Sequence, residues 1–259
     1  MRLAVPVVAA LAYTLSLIAL AVWPPLTLLV LLVTRPFDPN RSIAGQFYRI
    51  LPALWSRSFP FWRIRIEGRW PSGRGPYVVV ANHQSFLDIF VLCNINMRHE
   101  WKWVAKRELF RIPMFGWGLS LAGDISLDRG DAASAIAAID KARRYLKSGM
   151  SVMIFPEGTR SKDGKLLPFK TGAFKLAIET GVPVLPIAVS GSAHGMPRGG
   201  PWVRPTRITV QILEPVPTAG LGRRGVRTLS DTVRRRIARA LEQSEPAAGL
   251  QEVVLETHR

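Results

Sequence analysis

The sequence predicts an α/β fold: a mixed, largely parallel sheet flanked by helices, preceded by an N-terminal membrane-anchoring helical segment. Three observations carry this expectation. From residue 63 onward, short runs rich in Val and Ile alternate with helical patterns, as successive βαβ units do. Most of those runs are apolar at consecutive positions, as in a sheet covered on both faces. From Leu3 to Thr34 there is no charged residue, a stretch long enough to cross a hydrocarbon layer of about 30 Å.

The apolar stretch is flanked by Arg2 on one side and by Arg35 and Arg41 on the other, and Pro24-Pro25 interrupts it. It reads as a single kinked span, or as a hairpin dipping into one leaflet, which the double proline permits. A cleaved signal peptide, with Ala19-Leu20-Ala21 imitating a cleavage site, and a buried core helix are the other readings. The next segment, residues 41–62, places Ile43, Phe47, Ile50, Leu51 and Leu54 at helical spacing, with Arg49 and Arg57 off that face. Such a helix either lies in the headgroup layer or packs on the domain.

Strands are expected at Ile64–Glu67, Tyr77–Ala81, Lys102–Ala105, Ile125–Leu127, Val152–Phe155, Val184–Val189 and Ile208–Leu213. Helices are expected at Phe86–Asn94, Met114–Leu121, Ala132–Lys147, Gly172–Glu179 and Thr232–Leu241. The signal is clearest for Ala132–Lys147, where Asp131 supplies an N-cap, alanines fill the interior and Gly149 follows the end. The organisation is therefore anchoring and interfacial helices over 1–62, an α/β domain over 63–243, and a frayed tail over 244–259. No internal repeat is visible.

Composition narrows the function. With 48% hydrophobic and 20% charged residues over 259 positions, the chain is no disordered tail. Thirty-five Lys and Arg against 18 Asp and Glu give +17, which calls for an anionic partner: nucleic acid, an anionic membrane surface, or an anionic substrate. One cysteine, Cys93, excludes an internal disulfide framework and a Cys-rich zinc site. A membrane-tethered nucleic-acid binder would explain the charge, but no zinc finger, RNP aromatic pattern or basic zipper appears.

The chemistry-bearing residues begin directly after the second expected strand, in Asn82-His83-Gln84-Ser85-Phe86-Leu87-Asp88. On one helix His83 and Asp88 would be about 140° apart. With His83 in the turn and Asp88 in the first helical turn, the carboxylate can hold one imidazole nitrogen and leave the other as a base. The competing reading is a capping box, Ser85-x-x-Asp88, in which the carboxylate only satisfies backbone N–H groups. Ser85 lacks the G-x-S-x-G turn of a hydrolase nucleophile. A second cluster, Phe155-Pro156-Glu157-Gly158-Thr159-Arg160-Ser161, offers a close backbone approach at Gly158 and a fork on Arg160 for phosphate; a plain Glu–Arg loop is the alternative. Gly123-Asp124-Ile125-Ser126-Leu127-Asp128-Arg129 delivers Arg129 at a strand end, and residues 182–189 read as a buried strand.

Together and in this order, these pieces resemble the glycerolipid acyltransferases, specifically the bacterial 1-acyl-sn-glycerol-3-phosphate (lysophosphatidic acid) acyltransferases with the H-x-x-x-x-D motif. Residues 104–109, with Pro113 and Gly116, fit as well, and the resemblance covers roughly 63–215. It implies transfer of a fatty acyl group from a thioester of coenzyme A or acyl carrier protein to a lysophospholipid hydroxyl. His83 would be the base, Asp88 its orienting carboxylate, and no acyl-enzyme would form. Glu157, Gly158, Thr159 and Arg160 would help form the acceptor site, with Arg129 and Lys106 facing its phosphate. It implies no metal or cofactor beyond the acyl donor as co-substrate, an anionic membrane surface as partner, no nucleic acid, and a catalytic domain on the cytoplasmic side of the inner membrane. A related enzyme acting on another lyso-lipid, such as lyso-ornithine lipid, shares the same blocks. The Arg-rich segment from Arg223 to Arg239 suits attraction of an anionic surface, or forms a plain surface helix.

Overall fold

A computed structural model describes residues 4–73, 75–96, 99–161, 164–197 and 202–244. The expected tail over 244–259 lies, from residue 245, outside the described residues. The chain opens with α1 (Ala4–Thr34) and α2 (Ser42–Arg57), then β1 (Trp62–Glu67), β2 (Val78–Ala81), α3 (Leu87–Asn96) and β3 (Trp101–Lys106). A 3₁₀ turn at Arg107–Arg111 leads into α4 (Phe115–Leu121), β4 (Ile125–Leu127), α5 (Ala132–Lys147) and β5 (Ser151–Ile154). Then come α6 (Gly172–Thr180), β6 (Val184–Ser190), the single turn α7 (Ser192–Gly195), β7 (Thr206–Ile212) and α8 (Val226–Ser244). The seven strands form one sheet in the order β1-β7-β6-β2-β5-β3-β4. Only the β6–β7 pair is antiparallel; β1–β7, β6–β2, β2–β5, β5–β3 and β3–β4 are parallel.

Alternation along β2 shows why its run is apolar throughout. Val79 and Ala81 face a core shared with α3, including Leu87, Val91 and Leu92. Val78 and Val80 face the opposite core, filled from α5, α6 and α8 by Ala138, Phe174, Leu176 and Ile237. α5 begins as expected, with the Asp131 carboxylate accepting the N–H of Ala133 at 2.9 Å. α8 starts six residues before the expected Thr232, at Val226, and buries Leu229, Val233, Ile237 and Ala240 against the sheet.

α1 is one continuous helix through Pro24 and Pro25, not a hairpin. The two prolines leave two helix carbonyls without their N–H donors. Packing on α2 holds the helix there: Trp23 stacks on Phe47 with centroids 4.7 Å apart, and its Nε1 donates to the Phe47 carbonyl at 3.1 Å. Thirty-one residues make a helix about 46 Å long. Only 22% of its most apolar window is buried, so it is no core helix. Tyr13 packs against Trp55 and Phe59, contacts that a cleaved leader peptide would not leave behind.

α2 corrects one expectation. Its apolar row faces outward and toward α1, with Ile43 and Leu54 exposed, while Ala44, Gly45, Tyr48, Arg49, Ala53 and Ser56 turn inward. Small residues permit this. A Cβ on Gly45 would lie 2.1 Å from the Glu100 carboxylate. Arg49, expected off the packed face, is buried and bonds the Asp124 carboxylate at 2.5 Å. Lys102, expected in an apolar strand, is buried beside it, donating to Glu100 and to the carbonyls of Arg41 and Ala122.

Candidate active site

Five parallel strands present their carboxyl ends at one edge of the sheet, where ligands of open α/β sheets bind. β2 ends at Ala81, and the next residue is held by an exchange of two bonds. The Asn82 amide donates to the Val189 carbonyl and accepts the Val189 N–H, each at 2.8 Å. This fastens the strand end to β6 and throws the following turn beyond the sheet.

His83 sits in that turn. Its Nδ1 lies 2.8 Å from Asp88 Oδ2, and the same oxygen accepts the backbone N–H groups of Gln84 at 2.8 Å and Ser85 at 2.9 Å. Ser85 Oγ in turn accepts the N–H of Leu87 at 3.2 Å. The capping box and the orienting pair are therefore the same carboxylate at work, not alternatives. Asp88 is fully buried, which fixes the Nδ1–H tautomer and leaves Nε2 as the basic nitrogen. The imidazole lies flat on Phe155, centroids 4.0 Å apart and 12° from parallel.

Glu157 comes from the end of the neighbouring strand, β5. One carboxylate oxygen accepts the His83 N–H at 2.7 Å and the other accepts the Leu167 N–H at 3.0 Å. Burial pushes its pKa up to about 7, with the Asp88 charge adding; the two amides and Arg234 oppose the shift. Arg234 on α8 grips the same loop, donating to the carbonyls of Leu166 and Leu167 at 3.0 and 3.2 Å. Gln84 donates to the Gly164 carbonyl at 2.7 Å, so the loop is fastened from both sides. Gly158 has φ +70°, and a Cβ there would sit 3.0 Å from the Lys170 side chain. This puts a lysine beside the His83 turn.

The structure thus brings His83, Asp88, Glu157 and Gly158 together, with Thr159 exposed and Arg160 half-buried on the following turn. Lys106, at the end of β3, is paired with Glu108 at 2.8 Å, both about half exposed. Arg129 is exposed in the turn after β4, three strands from β2 or about 14 Å along the edge. Sequence reasoning gives no role to Asn82, Gln84, Lys170 or Arg234. Only Asn82 and Gln84 carry a signal, by lying inside the histidine block. Among the described residues no cluster of three or more His, Cys, Asp or Glu could hold a metal ion.

A histidine fixed by a buried carboxylate at the carboxyl edge of a parallel sheet, with a glycine-bearing turn and cations beside it, is suited to removing a proton from a hydroxyl near an anionic group. A family model described as "Acyltransferase" matches residues 63–190. The 1-acyl-sn-glycerol-3-phosphate acyltransferase beta of Homo sapiens is 34% identical over 197 residues, 76% of this chain and 69% of that protein. The chain belongs to this acyltransferase family. The chloroplastic 1-acyl-sn-glycerol-3-phosphate acyltransferase of Arabidopsis thaliana is 40% identical over 197 residues, 74% of this chain. The chain spans about half the length of such plant relatives, 52% for the Arabidopsis protein. The crystal structure of the 1-acyl-sn-glycerophosphate acyltransferase of Thermotoga maritima superposes with a TM-score of 0.76 and 26% identity, covering 95% of this chain and 99% of that one. With relatives in plants and mammals, membership carries no restriction to bacterial enzymes.

Proposed function

We propose that the protein is a membrane-embedded 1-acyl-sn-glycerol-3-phosphate O-acyltransferase that forms phosphatidic acid. The observation that carries the reading is the 2.8 Å bond between His83 Nδ1 and Asp88 Oδ2. In the reaction, Nε2 takes the proton of the acceptor hydroxyl as that oxygen bonds to the thioester carbonyl carbon. The C–S bond then breaks, and the proton passes from the imidazolium to the departing sulfur. General-base assistance of this kind contributes roughly 10²–10⁴ in rate.

Direct transfer is favoured by the absence of a usable nucleophile among the described residues near the base. Ser85 is buried, with its hydroxyl donating to the Met196 carbonyl at 2.7 Å. Cys93 is buried, and burial pushes its thiol up to about 12. Glu157, with both oxygens on backbone amides, shapes the turn and is not itself a ligand of the acceptor. The acceptor phosphate is assigned to Arg160 and Lys170 near Gly158, with Thr159 beside them and Lys106 and Arg129 farther along the edge. The donor is a fatty acyl thioester of coenzyme A or acyl carrier protein, and no other cofactor takes part.

α1 is taken to enter the bilayer. Arg35 and Arg41 after its end favour that end on the cytoplasmic side of the inner membrane, where acyl thioesters are made. The test is purified full-length protein given a panel of lyso-lipids and both donor types, with products read by mass spectrometry. Phosphatidic acid formed by the native chain and lost in His83→Ala supports the assignment. Transfer only to lyso-ornithine lipid would move the acceptor, and unimpaired transfer by His83→Ala would overturn the base.

A further inference from the structure

The strand directions fix which end of the molecule α1 leaves from. α2 starts beside Arg41, whose carbonyl accepts Lys102 Nζ near the start of β3, and runs toward Phe59, just before β1. β7 runs against β6, with Ser190 opposite Thr209, and β1 pairs Trp62 with Thr206. Trp62 and Phe59 therefore lie at the carboxyl edge, the end that carries His83. α1 runs back along α2, Trp23 on Phe47 and Tyr13 on Phe59. Its first turns, from Ala4 to Tyr13, project about 14 Å beyond that edge.

The same edge carries the exposed tryptophans of the described residues. Trp117 is 54% exposed in the first turns of α4, next to Ile112, 45% exposed, in the loop that follows the end of β3. Trp202 is 75% exposed in the segment entering β7, where the Arg204 carbonyl accepts Trp62 Nε1 at 2.9 Å. One lies on the β3–β4 side and the other on the β6–β7 side, with β2 between them. Arg107 and Arg111 flank the first, and Arg204 stands two residues from the second; all three are exposed. A tryptophan beside arginine on a loop tip matches the headgroup layer, where the ring is half buried and the cation meets phosphate.

We propose that this edge is itself a docking face for an anionic lipid bilayer, with Trp117 and Ile112 on one side of His83 and Trp202 on the other seated in the headgroup layer that α1 enters. The proposal rests on the reading of α1 as bilayer-embedded. It gives the bilayer two contacts in addition to α1, so the sheet edge is held flat on the surface. An acceptor can then present its hydroxyl to His83 while its acyl chain stays in lipid.

The test uses full-length protein carrying a single environment-sensitive label at Trp117→Cys, Trp202→Cys or, as control, Ser148→Cys. Ser148 is exposed just beyond α5, before β5 begins, at the opposite edge. Cys93 is buried and stays unlabelled. Flotation on phosphatidylcholine vesicles with and without phosphatidylglycerol is read first, then quenching by lipids with shallow spin labels. The labels at 117 and 202 should shift to the blue and be quenched, more strongly with the anionic lipid, while that at 148 is unchanged. Trp117→Glu/Trp202→Glu should lower turnover of vesicle-borne acceptor by about tenfold or more, and leave a short-chain monomeric acceptor within about twofold. Vesicle-bound protein with solvent-like labels at both sites would refute the docking face and leave the anchor standing. Failure of the native chain to float would overturn the anchor and the docking face together. A blue shift without lipid that rises with protein concentration would mean contact between copies, and would also refute the proposal.

Discussion

Replacing Arg49 with Met should unfold the protein at a much lower temperature while leaving the chemistry of the folded enzyme intact. Arg49 and Asp124 are both almost fully buried, with 2.5 Å between guanidinium nitrogen and carboxylate. Burial disfavours the arginine's charge, but Asp124 and Glu100 more than offset it, and its pKa is raised above the ordinary range. Asp124 also accepts the Trp103 N–H at 3.0 Å, and Lys102 bonds Glu100 at 3.0 Å. Without Arg49, two buried carboxylates would share one lysine.

Leaving one partner of a buried pair uncompensated costs about 3–5 kcal/mol, against a total stability of about 5–15 kcal/mol. For a chain of this size each kcal/mol moves the midpoint by about 2–4 °C, so the fall should be about 6–20 °C. The assay is thermal unfolding in detergent, followed by tryptophan fluorescence. Arg49→Met/Asp124→Leu should recover part of the loss, since removing both charges ends the imbalance. Turnover per folded molecule in the cold should be near native, because the cluster sits at the starts of β3 and β4, away from His83. A midpoint fall below about 2 °C, or a double variant worse than the sum of its parts, would refute the reasoning.

Asp88→Asn should lower turnover by about 10³-fold or more through loss of the oriented imidazole, and also lower the melting temperature, since the same oxygen holds two turn amides. Arg160→Ala should raise the acceptor KM about 10–150-fold with a smaller change in kcat, and Lys at that position should recover only part; an unchanged acceptor KM with a raised donor KM would reassign this arginine. Glu157 should make activity and stability respond oppositely to pH. Its folded pKa, about 7, lies above the unfolded value, so its contribution to stability is full below about 4.5 and is lost as pH rises through 7. Activity should fall in the other direction, because protonation removes an acceptor from the His83 turn. Arg234→Ala should move that acid limb of activity upward, and a limb that stays put in Glu157→Gln would assign it to another group.

Residues with a local signature are legible in the sequence itself. β4 and α5 fall on their expected bounds because apolar runs, an N-cap aspartate and a following glycine are properties of short segments. His83 and Asp88 are legible for the same reason, lying in one turn. Arg49 is not, because its partner Asp124 is 75 residues away, and an arginine on an amphipathic helix reads as a solvated charge until that partner is placed. Arg234 is similar: its role depends on two carbonyls 67 and 68 residues distant, and carbonyls leave no mark in a sequence. Double proline misleads as a possible hairpin signal, because the ring stacking that holds the helix straight comes from Phe47.

Asp88 and Asp124 show why one buried carboxylate is structural and the other chemical. Both side chains are fully shielded from solvent. Asp124 has a permanent cation in contact, so its charge is compensated at all times. Among the described residues, the only ion-pair partner of Asp88 is His83, which is neutral while it waits to act as a base. The two turn amides on Oδ2 hold the Asp88 charge in place without cancelling it. When Nε2 accepts the hydroxyl proton, the imidazolium supplies the missing positive charge, 2.8 Å from that oxygen. The interaction therefore strengthens as the reaction proceeds. Stabilisation greater in the transition state than in the ground state is what accelerates the step.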